Sequence, residues 1–176
     1  MTTINLLPWR DELREQRKKQ FIIICIQVLI RLSNRGVRGK IAKALYYANR
    51  YFDPNIQISY RCKIGYRLYI GHGDPVIVSR FTSFGSNMNL SQFVSIETNS
   101  EKGATIGNNV YIEPNVSIVG DVTIGNNVTI GAGSVVTHDI PSNVTVAENP
   151  ARILNETIHH EFLQNTWGRI DEDKNE

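Results

Sequence analysis

Apolar residues recur through the middle of the chain every six positions, where a helix face would repeat at about 3.6 and a half-buried strand at about two. Anchors fall at Ile58, Ile64 and Ile70, then at Val78, Phe84, Leu90 and Ile96, then at Ile106, Ile112, Ile118, Ile124, Ile130 and Val136. A second small or apolar residue stands two places before most anchors: Cys62, Leu68, Thr82, Met88, Val94, Val110, Val116, Val122, Val128 and Ser134. Glycine directly follows several anchors, at Gly65, Gly71, Gly85, Gly107, Gly125 and Gly131. Asparagine fills turn positions such as Asn108-Asn109 and Asn126-Asn127, where it tolerates left-handed backbone. Each hexad supplies a short strand and a turn, and three close a triangular coil. One coil cannot bury its own apolar face, so coils must stack. The pattern predicts a mainly β protein, a left-handed parallel β-helix of hexapeptide repeats over residues 56–150. A β-sandwich would alternate with period two between irregular turns, which a strict six does not allow.

The rhythm breaks twice. Gly71–Ile77 is slightly over-long, and Glu97–Thr105 forms a polar loop that leaves the coil. Polar loops interrupting a solenoid are where binding concentrates. Outside the repeats the period becomes helical. Helices are predicted over 11–32 and over Gly39–Tyr51, the second ended by Asp53-Pro54. A last helix is predicted over Ile153–Trp167, before an acidic tail. The organisation is therefore a helical region 1–55, the coil 56–150 and a carboxy-terminal helix and tail 151–176.

Charge divides the chain. Residues 1–67 hold 14 Lys/Arg against 4 Asp/Glu, and residues 68–176 hold 5 against 13. A basic head suits a phosphorylated ligand or the anionic inner face of a membrane. The apolar run Phe21–Ile30 is too short to span a bilayer, and arginines follow it in place of a cleavage site. Two cysteines and no Cys/His cluster give neither a disulfide framework nor a metal site. These features place the chain in the cytoplasm, with peripheral membrane contact through the basic head. Nucleic-acid binding is not expected, because the basic residues are not interleaved with aromatics on a known module.

The first interruption carries the best candidate for chemistry. His72 follows a glycine in the break Tyr69-Ile70-Gly71-His72-Gly73. An imidazole there can take a hydroxyl proton during attack on a thioester, and glycine N–H groups nearby can stabilise the oxyanion.

With these hexads, the IGHG break and the closing Asn149-Pro150-Ala151-Arg152, the sequence resembles hexapeptide-repeat acyltransferases. It is most similar to the serine O-acetyltransferase-like branch found in polysaccharide and lipopolysaccharide biosynthesis. The resemblance implies acetyl transfer from acetyl-CoA, a homotrimer with its site between subunits, and His72 as the general base. It implies supporting or acceptor-binding roles for Gln57, Gly71, Gly73 and Asp74 in the first half, and for Gln92, Glu97 and Glu101 beyond. Cofactor contacts would come from Tyr111, Pro114, Gly131, Ala132 and Arg152.

The chain departs from the serine enzymes of that branch. Gln57 stands where an aspartate orients the base, and Gly71 where an aspartate helps hold serine. The loop Glu97–Thr105 lacks their second histidine, and Glu148 replaces a glycine of the closing motif. These absences point to a sugar or glycan hydroxyl as the acceptor. The alternatives are a serine acetyltransferase with a rearranged site and a weak or inactive trimeric scaffold. Residues 4–21 also resemble the cytoplasmic start of a type IV pilus assembly protein of the inner membrane.

Overall fold

The computed structural model describes residues 40–41, 43–44, 46–48, 51, 55–71 and 75–156. The pilus-like stretch, the basic apolar run, the helix expected over 11–32 and the acidic tail lie outside them. Among the described residues fourteen short strands build a left-handed parallel β-helix with three faces, and a fifteenth pairs antiparallel at its end. One face stacks β1 (Ile56–Ile58), β4 (Val76–Val78), β7 (Val94–Glu97), β10 (Ser117–Val119) and β13 (Val135–Val136). The second stacks β2 (Lys63–Ile64), β5 (Ser83–Phe84), β8 (Thr105–Ile106) and β11 (Thr123–Ile124). The third stacks β3 (Leu68–Ile70), β6 (Met88–Leu90), β9 (Val110–Ile112), β12 (Thr129–Ile130), β14 (Thr145–Ala147) and β15 (Arg152–Asn155).

The anchors and their partners two places earlier form one continuous apolar core, from Ile58 and Cys62 to Val136 and Val146. Cys62 is part of that filling. Its thiol donates to the Ser79 carbonyl at 3.0 Å, and burial pushes it up to about 12, so it is no nucleophile near neutrality.

Register measures the two interruptions. Ile56 lies against Val76, a step of 20 residues, and Val76 against Val94, a step of 18. Ser95 lies against Ser117, a step of 22, and Ser117 against Val135, again 18. Two extra residues therefore enter after β3 and four after β7. The last coil is short: Thr129 pairs with Thr145, a step of 16, and Ile140 is buried where a strict six would place an anchor two residues later.

The corners explain the polar residues of the hexad. Where β2, β5, β8 and β11 turn toward the third face, Gly65, Gly85, Gly107 and Gly125 stack in a column. A Cβ on Gly107 would stand 2.5 Å from Asn126 Oδ1 and 2.6 Å from the Gly125 carbonyl oxygen, so only glycine fits. Two residues further on, Asn87, Asn109, Asn127 and Asn143 all take positive φ, between 55° and 64°. Each of the first three donates its side-chain amide to the next asparagine at 2.8–2.9 Å. The ladder pairs buried or half-buried amides while the backbone takes a conformation that asparagine accepts.

The carboxy-terminal expectation needs correction. Residues Arg152–Asn155 form a strand, not the start of a helix, and pair antiparallel with β14. After Asn149-Pro150 the chain reverses onto the last edge of the third face, whose unpaired backbone groups are satisfied by pairing rather than by a helix turn. The rest of the predicted helix lies outside the described residues.

The first coil also has an open end. The described positions between 40 and 51 are helical, and Tyr46 from this stretch is buried, donating to the Ile58 carbonyl at 2.8 Å. Its ring meets Tyr47 and Tyr60 edge-on at 5.4 and 5.6 Å. Hydrogen bonding from Lys43, then from Arg61, lowers the Tyr60 phenol from 10.0 to about 8. Because the folded value lies below the unfolded one, deprotonation favours the folded state. That contribution is complete above pH 10, fades as pH falls through about 8 and is absent at pH 7. A spectrophotometric titration is expected to resolve one phenolate near pH 8, lost in Tyr60→Phe. Titration of every tyrosine near pH 10 would contradict it.

Candidate active site

Five of the candidate residues lie on the edge where the third face turns into the first. The turns of successive coils stack there through the backbone. Gly71 N–H donates to the Leu90 carbonyl at 2.8 Å, and Phe93 N–H to Pro75 at 2.7 Å. Asn115 N–H donates to Gln92 at 3.1 Å, and Gly133 N–H to Pro114 at 2.9 Å. Gly71, Gln92, Pro114, Gly131 and Ala132 therefore share one edge of the prism. His72, Gly73 and Asp74 lie outside the described residues, between the described Gly71 and Pro75 on this edge.

Gln57 is the central residue of β1, in register with Ile77 on the face that begins after Pro75. Its side chain faces outward and is half-buried. On the adjoining coil, Gln92 places its side-chain Oε1 in a buried position with no hydrogen-bond partner among the described residues. An acceptor left unpaired is costly unless something donates to it. Phe93 beside it is more than half exposed with φ 61°, at a position where the next two coils carry Asn115 and Gly133.

Of the glycine amides beside His72, that of Gly71 is committed to the coil, and Gly73 lies outside the described residues. Gly71 N–H bonds Leu90, and Gly131 N–H bonds the Val146 carbonyl at 2.8 Å. The ladder that holds the coil together uses them, and a donor inside it is not free to bind a reacting oxygen. Glu113, which sequence reasoning did not single out, accepts the Ala132 N–H at 3.0 Å. Gly131 is required by the coil, since a Cβ there would come within 2.9 Å of Ala147 Cβ. Tyr111 stands on the third face, half-buried, between Asn89 and Thr129. Arg152 opens β15 and donates from Nη2 to Glu148 Oε1 at 2.7 Å.

Glu97 and Glu101 are elsewhere. Their loop leaves the first face at the far end of β7, while Pro75 precedes the near end of β4. Strands of three and four residues separate these corners by about 10–13 Å. The loop is internally braced: Thr98 Oγ1 and Ser100 Oγ both donate to the Lys102 carbonyl, at 2.7 and 2.8 Å. Among the described residues no group of three His, Cys, Asp or Glu could hold a metal ion, and no helix is long and apolar enough to cross a membrane.

Residues 103–138 match the family described as bacterial transferase hexapeptide (six repeats). The chain is 36% identical over 118 residues to a serine acetyltransferase of Bacillus licheniformis, covering 65% of this chain and 54% of that protein. It is similar to a solved serine acetyltransferase of Brucella abortus strain S19 in complex with coenzyme A, at 27% identity and a TM-score of 0.67, over 77% of this chain and 55% of that one. It is also similar to the Neisseria gonorrhoeae serine acetyltransferase in complex with serine, at 30% identity and a TM-score of 0.65, over 74% and 54%. The chain thus spans little more than half the length of these relatives.

These likenesses overturn the expected sugar or glycan acceptor, and with it a place in polysaccharide or lipopolysaccharide biosynthesis. That expectation rested on missing groups at Gln57, Gly71 and the Glu97–Thr105 loop. The absence of a carboxylate removes one way of holding an ammonium but builds no hydrogen-bonding frame for a sugar. Its coil register and the match over 103–138 show a hexapeptide-repeat β-helix, and the relatives to which it is similar are serine acetyltransferases.

Proposed function

We propose that the protein transfers an acetyl group from acetyl-CoA to the hydroxyl of serine, with His72 as general base. The observation that carries this reading is the similarity of the coil to serine acetyltransferases solved with serine and with coenzyme A. In the proposed reaction the imidazole of His72 takes the serine hydroxyl proton as the oxygen attacks the thioester carbonyl. The tetrahedral intermediate then collapses, the C–S bond breaks, and the imidazolium returns the proton to the departing thiolate.

Gln57 can accept the other imidazole N–H, but it lacks the charge with which a carboxylate would favour the imidazolium. Gln92, whose buried Oε1 has no partner among the described residues and whose neighbour Phe93 bonds Pro75, would accept a hydrogen bond from the serine ammonium. Gly73 and Asp74 complete this end of the site. Tyr111, Pro114 and Ala132 line the coils along which the pantetheine arm would lie, with Gly131 keeping those coils closely stacked and Arg152 near the phosphates. Glu97 and Glu101, at the opposite corner, join the site only across neighbouring copies, in a homotrimer. Release of free coenzyme A tests the reading. It is expected to rise saturably with serine, and a rate independent of serine contradicts it.

A further inference from the structure

Glu148 occupies a backbone position that does not suit it. Its φ is +87°, the largest positive value among the described non-glycine residues, most of which are asparagines near 60°. A glutamate gains nothing locally from that conformation. Its carboxylate reaches Arg152 at 2.7 Å, in a pair whose side chains are 49% and 69% exposed. An exposed pair of this kind adds little stability, so holding the fold together does not account for it.

The surroundings give the pair a different meaning. Arg152 is the sole Lys or Arg between Lys102 and Arg169, across all the coils from β8 to β15. From this chain a polyanionic ligand lying on these coils therefore meets one cation, and Glu148 already pairs with it. Glu148 also follows Ala147, whose Cβ is the atom against which Gly131 must close. This places the Glu148 backbone on the coil next to Gly131.

We infer that Glu148 is an affinity-setting residue: it competes with the phosphates of coenzyme A for the Arg152 guanidinium and so loosens cofactor binding. The inference rests on the acetyl-CoA reading proposed above. It is tested by calorimetric titration of the full chain with coenzyme A, comparing wild type, Glu148→Gln, Arg152→Ala and the double variant. Removing the charge in Glu148→Gln is expected to tighten coenzyme A binding by about two- to fivefold, the span of exposed ion-pair coupling. The same change in the Arg152→Ala background is expected to do nothing, because the competition needs both partners. If Glu148→Gln leaves binding unchanged or weakens it while Arg152→Ala also weakens it, the competition is overturned and the cofactor reading stands. If tightening persists without Arg152, the carboxylate acts through the general field and the inference is equally overturned. If Arg152→Ala leaves binding unchanged, the assignment of Arg152 to the phosphates falls, and this inference falls with it. Circular dichroism of each variant separates loss of fold from loss of affinity.

Discussion

His72→Ala is expected to lower kcat for serine acetylation by about 10²- to 10⁴-fold, the ordinary contribution of a positioned general base. The change should fall on kcat, with binding of coenzyme A retained, since the cofactor contacts are assigned to later coils. The lower part of that range is favoured by Gln57. An amide orients an imidazole without stabilising its charged form, so less transition-state stabilisation is lost when the base is removed. The committed amides of Gly71 and Gly131 mean that neither can act as a fallback oxyanion donor. Steady-state kinetics with serine and acetyl-CoA, with coenzyme A affinity measured separately, checks the prediction. A variant with wild-type kcat would remove His72 from the mechanism.

The second large effect is on stability. Ile112→Ala is expected to destabilise the protein by about 2–5 kcal/mol. Ile112 is fully buried and stacks in register between Leu90 and Ile130, which are buried too. Its carbonyl accepts Ser91 N–H at 2.9 Å, and Glu113 N–H donates to Ile130 at 3.0 Å, so the backbone is tied to both neighbouring coils. That tie limits how far the coils can collapse into the space left by the side chain. A solenoid passes its cooperativity from coil to coil, so a cavity in the middle weakens both halves of the stack. Equilibrium denaturation of the variant, with the exposed Tyr66→Ala as control, checks the effect. A loss of less than about 1 kcal/mol would show that the coils relax around the cavity.

The coil was legible because its physics repeats. Each anchor fills the same place on the axis of the coil, so Ile58 through Val136 declare the fold and the lengths of both interruptions. What the period could not show was where the repeat stops repeating. The short last coil moves the next anchor to Ile140, and the chain then reverses into β15, where helical spacing was expected from Ile153 onward. Residues of the Arg-Ile-Leu-Asn type suit an exposed strand or a helix, and a free sheet edge decided between them.

The candidate site was legible in part. The hexad places Gly71, Gln92, Pro114 and Ala132 at equivalent turns, and the stacking of those turns follows from the register. Spacing alone does not show where the interruptions lie, and the register sets Pro75 and the Glu97–Thr105 loop at opposite ends of the first face. The parallel ladder also takes up the Gly71 amide, which spacing alone does not show. The partnership of Glu148 with Arg152 had a signal in the sequence, a glutamate where the closing motif has glycine, but its meaning needed the positive φ and the short contact. The acceptor was misread because it was argued from missing residues.

The account is tested most directly by following isotope-labelled acetyl-CoA with the purified full chain and serine, alongside nucleotide sugars as separate acceptors. The label is expected in O-acetylserine, in step with release of coenzyme A and lost in His72→Ala. Label appearing only as free acetate, or remaining in the thioester with serine present, would contradict it.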